Sequence, residues 1–147
     1  MMKEKIKYFF QVSEFSTFQS MALLLLRLIV GIAFVLHGWG KIQNPFGWMP
    51  ETMGIPGFFQ SLAALSEFGG GLALILGLLT PLAMLGLSLT MLVATGMHAF
   101  VMKDPFVNMT GGSSFEPALG YLGLAILFLA MGPGRFSLDA KIFGSRR

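Results

Sequence analysis

The chain reads as an all-α integral membrane protein, a four-helix bundle spanning the bilayer with an interfacial amphipathic helix in front of it. Four apolar blocks fill most of the 147 residues. Only 12% of the residues are charged against 54% hydrophobic, and the mean hydropathy is +0.74, whereas soluble domains carry about 25% charged residues. The basic residues gather near the two ends, where membrane topology tends to place them.

Residues 1–20 begin with Lys3, Lys5 and Lys7. Ile6, Phe9, Phe10, Val12, Phe15 and Phe18 then recur at roughly helical spacing. A basic, amphipathic stretch of this kind lies flat at the headgroups. The first span runs over 21–42, enough at about 1.5 Å per residue to cross a hydrocarbon core of about 30 Å. Asn44 and Pro45 end it. The loop 44–56 holds Trp48, a residue suited to the membrane interface. A second span covers 57–79, and the Thr80-Pro81 pair predicts a tight turn with Thr80 as N-cap and Pro81 as the first helical residue. The third span is 81–102. A Gly- and Ser-rich loop, 103–115, leads to a slightly short fourth span over 116–131, stopped by Gly132-Pro133-Gly134. The organisation is therefore an interfacial segment (1–20), a four-helix bundle (21–134) and a basic tail (135–147).

Four spans place both ends on one side. Those ends carry Lys3, Lys5, Lys7, Arg135, Lys141, Arg146 and Arg147, while the other side carries Lys41 and Lys103. The positive-inside rule then puts both termini in the cytoplasm. The net charge of +3 is explained by this topology and gives no sign of nucleic-acid binding. The chain has no cysteine, which excludes disulfides, thiolate metal sites and Cys-x-x-Cys redox chemistry within it. Gly31, Gly38 and Gly40 in the first span and Gly69, Gly70 and Gly71 in the second predict close helix–helix approach, a main source of association in lipid.

Arg27, His37, Glu67 and His98 all fall inside apolar blocks. A charge at the bilayer centre costs roughly 2.5–3.5 kcal/mol even on insertion scales, so each marks a candidate functional position. Spans one and three run outward and spans two and four inward. His37, Lys41, His98 and Glu116 are therefore expected to cluster at the outer mouth of the bundle, with Tyr121 about 8 Å deeper by helical rise. Lys41 shares a helix face with His37, one turn away. Glu67 and Arg27 differ in depth by only about 6 Å, which points to an Arg27–Glu67 ion pair between the first two helices. That pair fits two roles, fixing helix register or serving substrate and protons. His37 and His98 fit interfacial hydrogen bonding better than a pair of haem ligands. A zinc site from His37, His98 and Glu116 lacks the dense ligand spacing such sites show, so no metal is expected. Lys41 also fits plain snorkelling to the interface.

Several strings together resemble the DoxX family of small bacterial membrane proteins with four spans. They are Arg27, Gly31 and His37-Gly38-Trp39-Gly40-Lys41; Glu67-Phe68-Gly69-Gly70-Gly71-Leu72 with Gly77 and Thr80-Pro81-Leu82-Ala83; and the ending Gly132-Pro133-Gly134-Arg135-Phe136-Ser137-Leu138-Asp139. The resemblance covers nearly the whole chain after residue 20. It implies residence in the bacterial cytoplasmic membrane and a link to redox chemistry. Members are described as oxidoreductases or membrane subunits of redox complexes, among them a thiosulfate:quinone oxidoreductase, and others are linked to oxidative stress or to quinone and catechol detoxification. It also implies that Arg27, His37, Lys41 and Glu67 form the family's polar core.

The first functional reading is a quinone-linked membrane redox subunit. Its catalytic groups would be Glu67, Arg27 and His37, with Lys41, His98, Glu116 and Tyr121 binding substrate. Carboxylates and imidazoles would carry protons. With no flavin, haem or iron–sulfur motif, the chain holds no intrinsic cofactor in this reading, and electrons come from a partner redox protein. The alternative is a non-catalytic anchor or scaffold for a partner complex, or a small-solute permease. A midplane carboxylate argues against a pure anchor. Weak similarity between the two halves argues against a transporter built from repeats. Lipids are the expected surroundings, and a homo-oligomer is compatible with the sequence.

Overall fold

The structure, a computed structural model, describes residues 7–146. Its main elements are four helices: α1 (Thr17–Gln43), α2 (Gly57–Leu76), α3 (Thr80–Gly96) and α4 (Glu116–Met131). α3 continues through a π-helical turn, Met97–Val101, whose i→i+5 bond runs from Met102 N to Met97 O at 2.9 Å. α1, α2 and the continuous Thr80–Val101 segment are long and apolar enough to cross a membrane, and α4 is a shorter apolar helix. A short helix, α5 (Leu138–Phe143), and two paired two-residue strands, β1 (Val12–Ser13) and β2 (Ser145–Arg146), complete the described residues. The expected all-α membrane bundle is what forms.

The helix starts and stops follow local chemistry. α1 begins at Thr17, four residues before the expected start, because Ser16 and Gln19 form a capping box. Ser16 Oγ accepts from Gln19 N at 3.2 Å and Gln19 Oε1 accepts from Ser16 N at 2.9 Å, satisfying N–H groups that an uncapped terminus leaves open. This shortens the amphipathic helix expected over 1–20. Of the described residues ahead of α1, those at 7–10 are helical. Val12, 1% exposed, is instead drawn into a parallel pairing with Ser145 and donates its N–H to Gly144 O at 3.1 Å. Lys3, Lys5 and Ile6 lie outside the described residues.

At the other end of the hairpin, Gly77 stops α2 with a left-handed backbone (φ 63°). Leu78 N reaches Ala73 O at 2.9 Å and Gly77 N reaches Leu74 O at 3.1 Å, the paired bonds of a Schellman ending. Leu79 is also left-handed, at φ 48°, a conformation that costs a residue with a Cβ about 1–2 kcal/mol. The expectation that Thr80 caps α3 is corrected here. Thr80 is already helical and its hydroxyl finds no hydrogen-bond partner. The cap comes from Asp139, whose Oδ1 and Oδ2 accept from Leu79 N (2.7 Å) and Thr80 N (2.8 Å).

The close helix pairs are α1–α2, α2–α3 and α3–α4, while α1 and α4 meet through Phe34 and Tyr121, ring centroids 5.0 Å apart. The interior is apolar: Phe34, Leu74, Met84, Leu87 and Phe128 are among its buried side chains. Phe18, Leu36 and Phe100 project outward, as lipid-facing residues do. Glycine sets the α1–α2 distance. A Cβ on Gly38 would lie 2.5 Å from Phe68 N and 2.8 Å from its Cα, and one on Gly71 would lie 2.8 Å from both Gly31 O and Val35 N. These obstacles are backbone and cannot swing aside.

Gly38→Val should therefore lower the stability of the detergent-solubilised protein by about 1–3 kcal/mol or more. Gly69→Ala should be neutral or stabilising by up to about 1 kcal/mol, since a Cβ there meets only Leu65 Cδ1 at 3.4 Å. Thermal unfolding in micelles, read by circular dichroism, compares the two.

Candidate functional site

The buried ionisable residues separate into two groups at opposite ends of the bundle. At the end where β1 and β2 pair, Arg27 is 1% exposed. Its guanidinium does not pair with Glu67, which corrects the expected Arg27–Glu67 bridge. Nε donates to Leu74 O and Nη2 to Ile75 O, both at 3.0 Å, while Nη1 donates to Pro133 O (2.8 Å) and Phe136 O (3.0 Å). The first two carbonyls belong to the last turn of α2, where intrahelical donors run out. The other two belong to the turn after α4. Asp139 adds a favourable charge interaction with Arg27. Gly77 makes this packing possible, since a Cβ there would lie 2.5 Å from Ser137 Cβ and 2.8 Å from Arg27 Nη1.

The tail supports this cluster. Ser137 Oγ donates to Gly134 O (2.6 Å) and accepts from Ala140 N (3.2 Å), capping α5. Asp139 N donates to Gly77 O at 2.8 Å. The Gly-Pro-Gly-Arg-Phe-Ser-Leu-Asp string and Arg27 thus act together as a structural clasp.

At the opposite end, Glu67 accepts from Lys41 Nζ at both oxygens, 2.6 and 2.7 Å. The carboxylate side chain is 4% exposed and the lysine 26%. The ammonium also lies over the Trp48 ring, 4.5 Å from its centroid. Trp48 is held in turn by Gln60, whose carbonyl accepts from Nε1 at 2.9 Å and whose side chain ties Met49 N and Ile55 O. The ammonium carries three N–H donors and turns two of them to Glu67, so it has a donor left for a ligand oxygen.

Two cavities share this pair. One, of about 350 Å³, lies between α1, α3 and α4 and is lined by His37, Lys41, Glu67, His98 and Tyr121, with Ser113 and Ser114 from the loop. The other, of about 700 Å³, lies between α2, α3 and the loop after α1, and is mostly apolar. His98, on the π-helical turn, borders both. Its Nδ1 lies 2.7 Å from Asp104 Oδ2, and Asp104 N donates to His98 O at 2.9 Å. Lys103, left-handed at φ 59°, turns the chain back between them.

Five of the seven expected site residues therefore converge: His37, Lys41, Glu67, His98 and Tyr121. Arg27 is at the other end of the bundle. Glu116 is exposed in the first turn of α4 and does not border either cavity. A carboxylate there suits the positive end of the helix dipole. Depth arithmetic aligned it with His37 but said nothing of the side it faces. Among the described residues no three His, Asp or Glu side chains converge as a metal site. Asp104 and Gln60 carry no sequence signal for the site, and Trp48, expected as an interface residue, is a site neighbour as well. The six-residue spacing from His98 to Asp104 becomes visible only once the helix ends and Lys103 reverses the chain.

The clasp gives a direct expectation. Arg27→Lys replaces a fork of donors by a point charge, and Asp139→Ala leaves two N–H groups of the α2–α3 turn open. Each should lower stability by about 1–3 kcal/mol and speed trypsin cleavage of the tail at Arg135, measured by limited proteolysis in micelles.

The DoxX family model matches residues 22–103. The chain is 35% identical over 124 residues to "Inner membrane protein YqjF" of Escherichia coli, covering 82% of this chain and 92% of that protein. It is 34% identical over 130 residues to an uncharacterised membrane protein of Mycobacterium tuberculosis, covering 80% of this chain and 78% of that one. A third relative, "Putative oxidoreductase CatD" of Bacillus subtilis, is 32% identical over 127 residues, covering 84% and 89%. No solved structure matches the chain. The matched segment holds both spans of the glycine crossing, Arg27 and the Lys41–Glu67 pair, and the chain belongs to the DoxX family.

Proposed function

We propose that the protein is an oxidoreductase subunit of the bacterial inner membrane that acts on a membrane quinone beside the Lys41–Glu67 pair. The observation that carries this reading is the pair itself, a carboxylate 4% exposed, bridged by one ammonium and bordering both cavities. The name of the B. subtilis relative points in the same direction. A static anchor has no use for a buried charge with this access.

In this reading Lys41 donates a hydrogen bond to one ring oxygen. Glu67 exchanges a proton with the ligand, and His37, His98 and Tyr121 line the route by which protons arrive. Carboxylate and imidazole are the usual carriers for such steps. Reducing a quinone to the quinol takes two electrons and two protons, and the electrons come from a partner redox protein. Arg27 has no part in the chemistry, because its donors are engaged by backbone carbonyls. Glu116 has none either. The basic ends place the clasp on the cytoplasmic side, so the cavities face the periplasm.

Quinone extracted from the purified protein should approach one molecule per chain and fall at least tenfold in Glu67→Gln, with an unchanged size-exclusion profile. Wild-type quinone content in the variant would remove Glu67 from the site. A reporter fused after Arg147 should be active only in its cytoplasmic form (alkaline phosphatase inactive, a fluorescent protein bright). The opposite pattern would reverse the topology.

A further inference from the structure

The two cavities that meet at Lys41, Glu67 and His98 differ in character and in what they open onto. The smaller is mixed, with His37, Tyr121 and the serines of the 111–115 loop set among Phe34, Met91, Ala94 and Pro117, and is the more polar of the two. The larger is walled mainly by aliphatic and aromatic side chains of α2 and α3. Its rim includes Phe59, Leu62, Leu89 and Val93, which are 59%, 45%, 57% and 60% exposed. These positions lie on spans long enough to cross the bilayer, so exposure there means contact with acyl chains. This rim favours a lateral opening toward lipid, and the cavity's polar groups, chiefly Lys41, Glu67, His98 and Gln60, are few.

We propose that the apolar cavity between α2 and α3 is the seat of the quinone, entered laterally from the bilayer, and that the polar cavity is a separate aqueous access to the same Lys41–Glu67–His98 wall. This rests on the quinone reading above and adds where the ring sits and how the two routes are divided. A volume of about 700 Å³ falls in the range of about 300–1,000 Å³ typical of ligand sites, which are mostly apolar with a few polar groups that fix orientation. The polar groups suit a ring carrying oxygen acceptors, and the open apolar rim suits a hydrocarbon tail that stays among the lipids. Asp104 occupies His98 Nδ1 at 2.7 Å, which fixes the ring and leaves Nε2 as its free nitrogen. When the quinone is reduced, the two electrons come from the partner redox protein and the two protons enter from water through the polar cavity.

Trp48 borders the apolar cavity and not the polar one, which supplies the probe. Trp39, the other tryptophan, is 57% exposed on α1. In a Trp39→Phe background, a decyl-tailed benzoquinone titrated into the solubilised protein should quench Trp48 saturably. Val93→Phe, at an exposed position that tolerates bulk, and Ala63→Phe, on the facing wall, should each raise the Kd tenfold or more. Both should exceed the effect of Ala118→Phe, which fills the polar cavity instead. A larger effect from Ala118→Phe, or equal effects from all three, would overturn the lipid-side assignment while leaving a quinone site at the pair. No saturable quenching and no co-purifying quinone in the parent protein would overturn the quinone reading and this inference together.

Discussion

The engagement of one buried guanidinium by four backbone carbonyls holds the rest of this structure in register. Arg27 projects from α1 and collects two carbonyls of the last turn of α2, of which Leu74 O also accepts from Gly77 N, and two of the turn that closes α4. In hydrocarbon no water is available to satisfy such carbonyls, and each left open costs several kcal/mol. A lysine would offer three donors around one point, whereas the planar fork of arginine reaches two chain segments at once. Through Gly77 and Ser137 the same cluster positions Asp139, which then starts α3. All four helices are thereby referred to one side chain.

That division frees the opposite end for other work. The glycine crossing brings α1 and α2 close enough for Lys41 to lie against Glu67. α1 and α4, by contrast, meet through Phe34 and Tyr121, and the space beyond that contact is the polar cavity. Rigidity at one end and open volume at the other are complementary uses of the same four helices. The π-helical turn that carries His98 fits this pattern, since such turns occur frequently at functional sites.

Much of this was legible in the sequence because hydropathy reports depth. The four spans, the loops between them, the close glycine approach and the gathering of His37, Lys41, His98 and Tyr121 at one end all follow from position along a helix axis. What depth cannot report is azimuth. Nor did depth arithmetic give the register of α1 on α2: Arg27 lies level with Leu74 and Ile75, whose carbonyls no side-chain inventory counts as partners, while Glu67 lies toward the other end against Lys41. Glu116 shows the limit of azimuth, since it starts α4 at the expected depth but faces outward. The capping box at Ser16 and Gln19 was readable as a local Ser-x-x-Gln pattern and was passed over. The Asp139 cap was not readable locally, because it joins positions about sixty residues apart in the chain. The early stop of the N-terminal helix was hidden likewise, since Val12 leaves it to pair with Ser145.

The separation in sequence between Arg27 and its partners has a consequence for biogenesis. Pro133 and Phe136 lie 106 and 109 residues further along the chain, and Asp139 follows them. A ribosome adding about 5–20 residues per second leaves α1 without those partners for several seconds after Arg27 has been made. During that interval the arginine must be held by the insertion machinery, by lipid headgroups or by water drawn in beside it. The order of synthesis therefore makes the turn after α4 the segment that settles α1 into its final place.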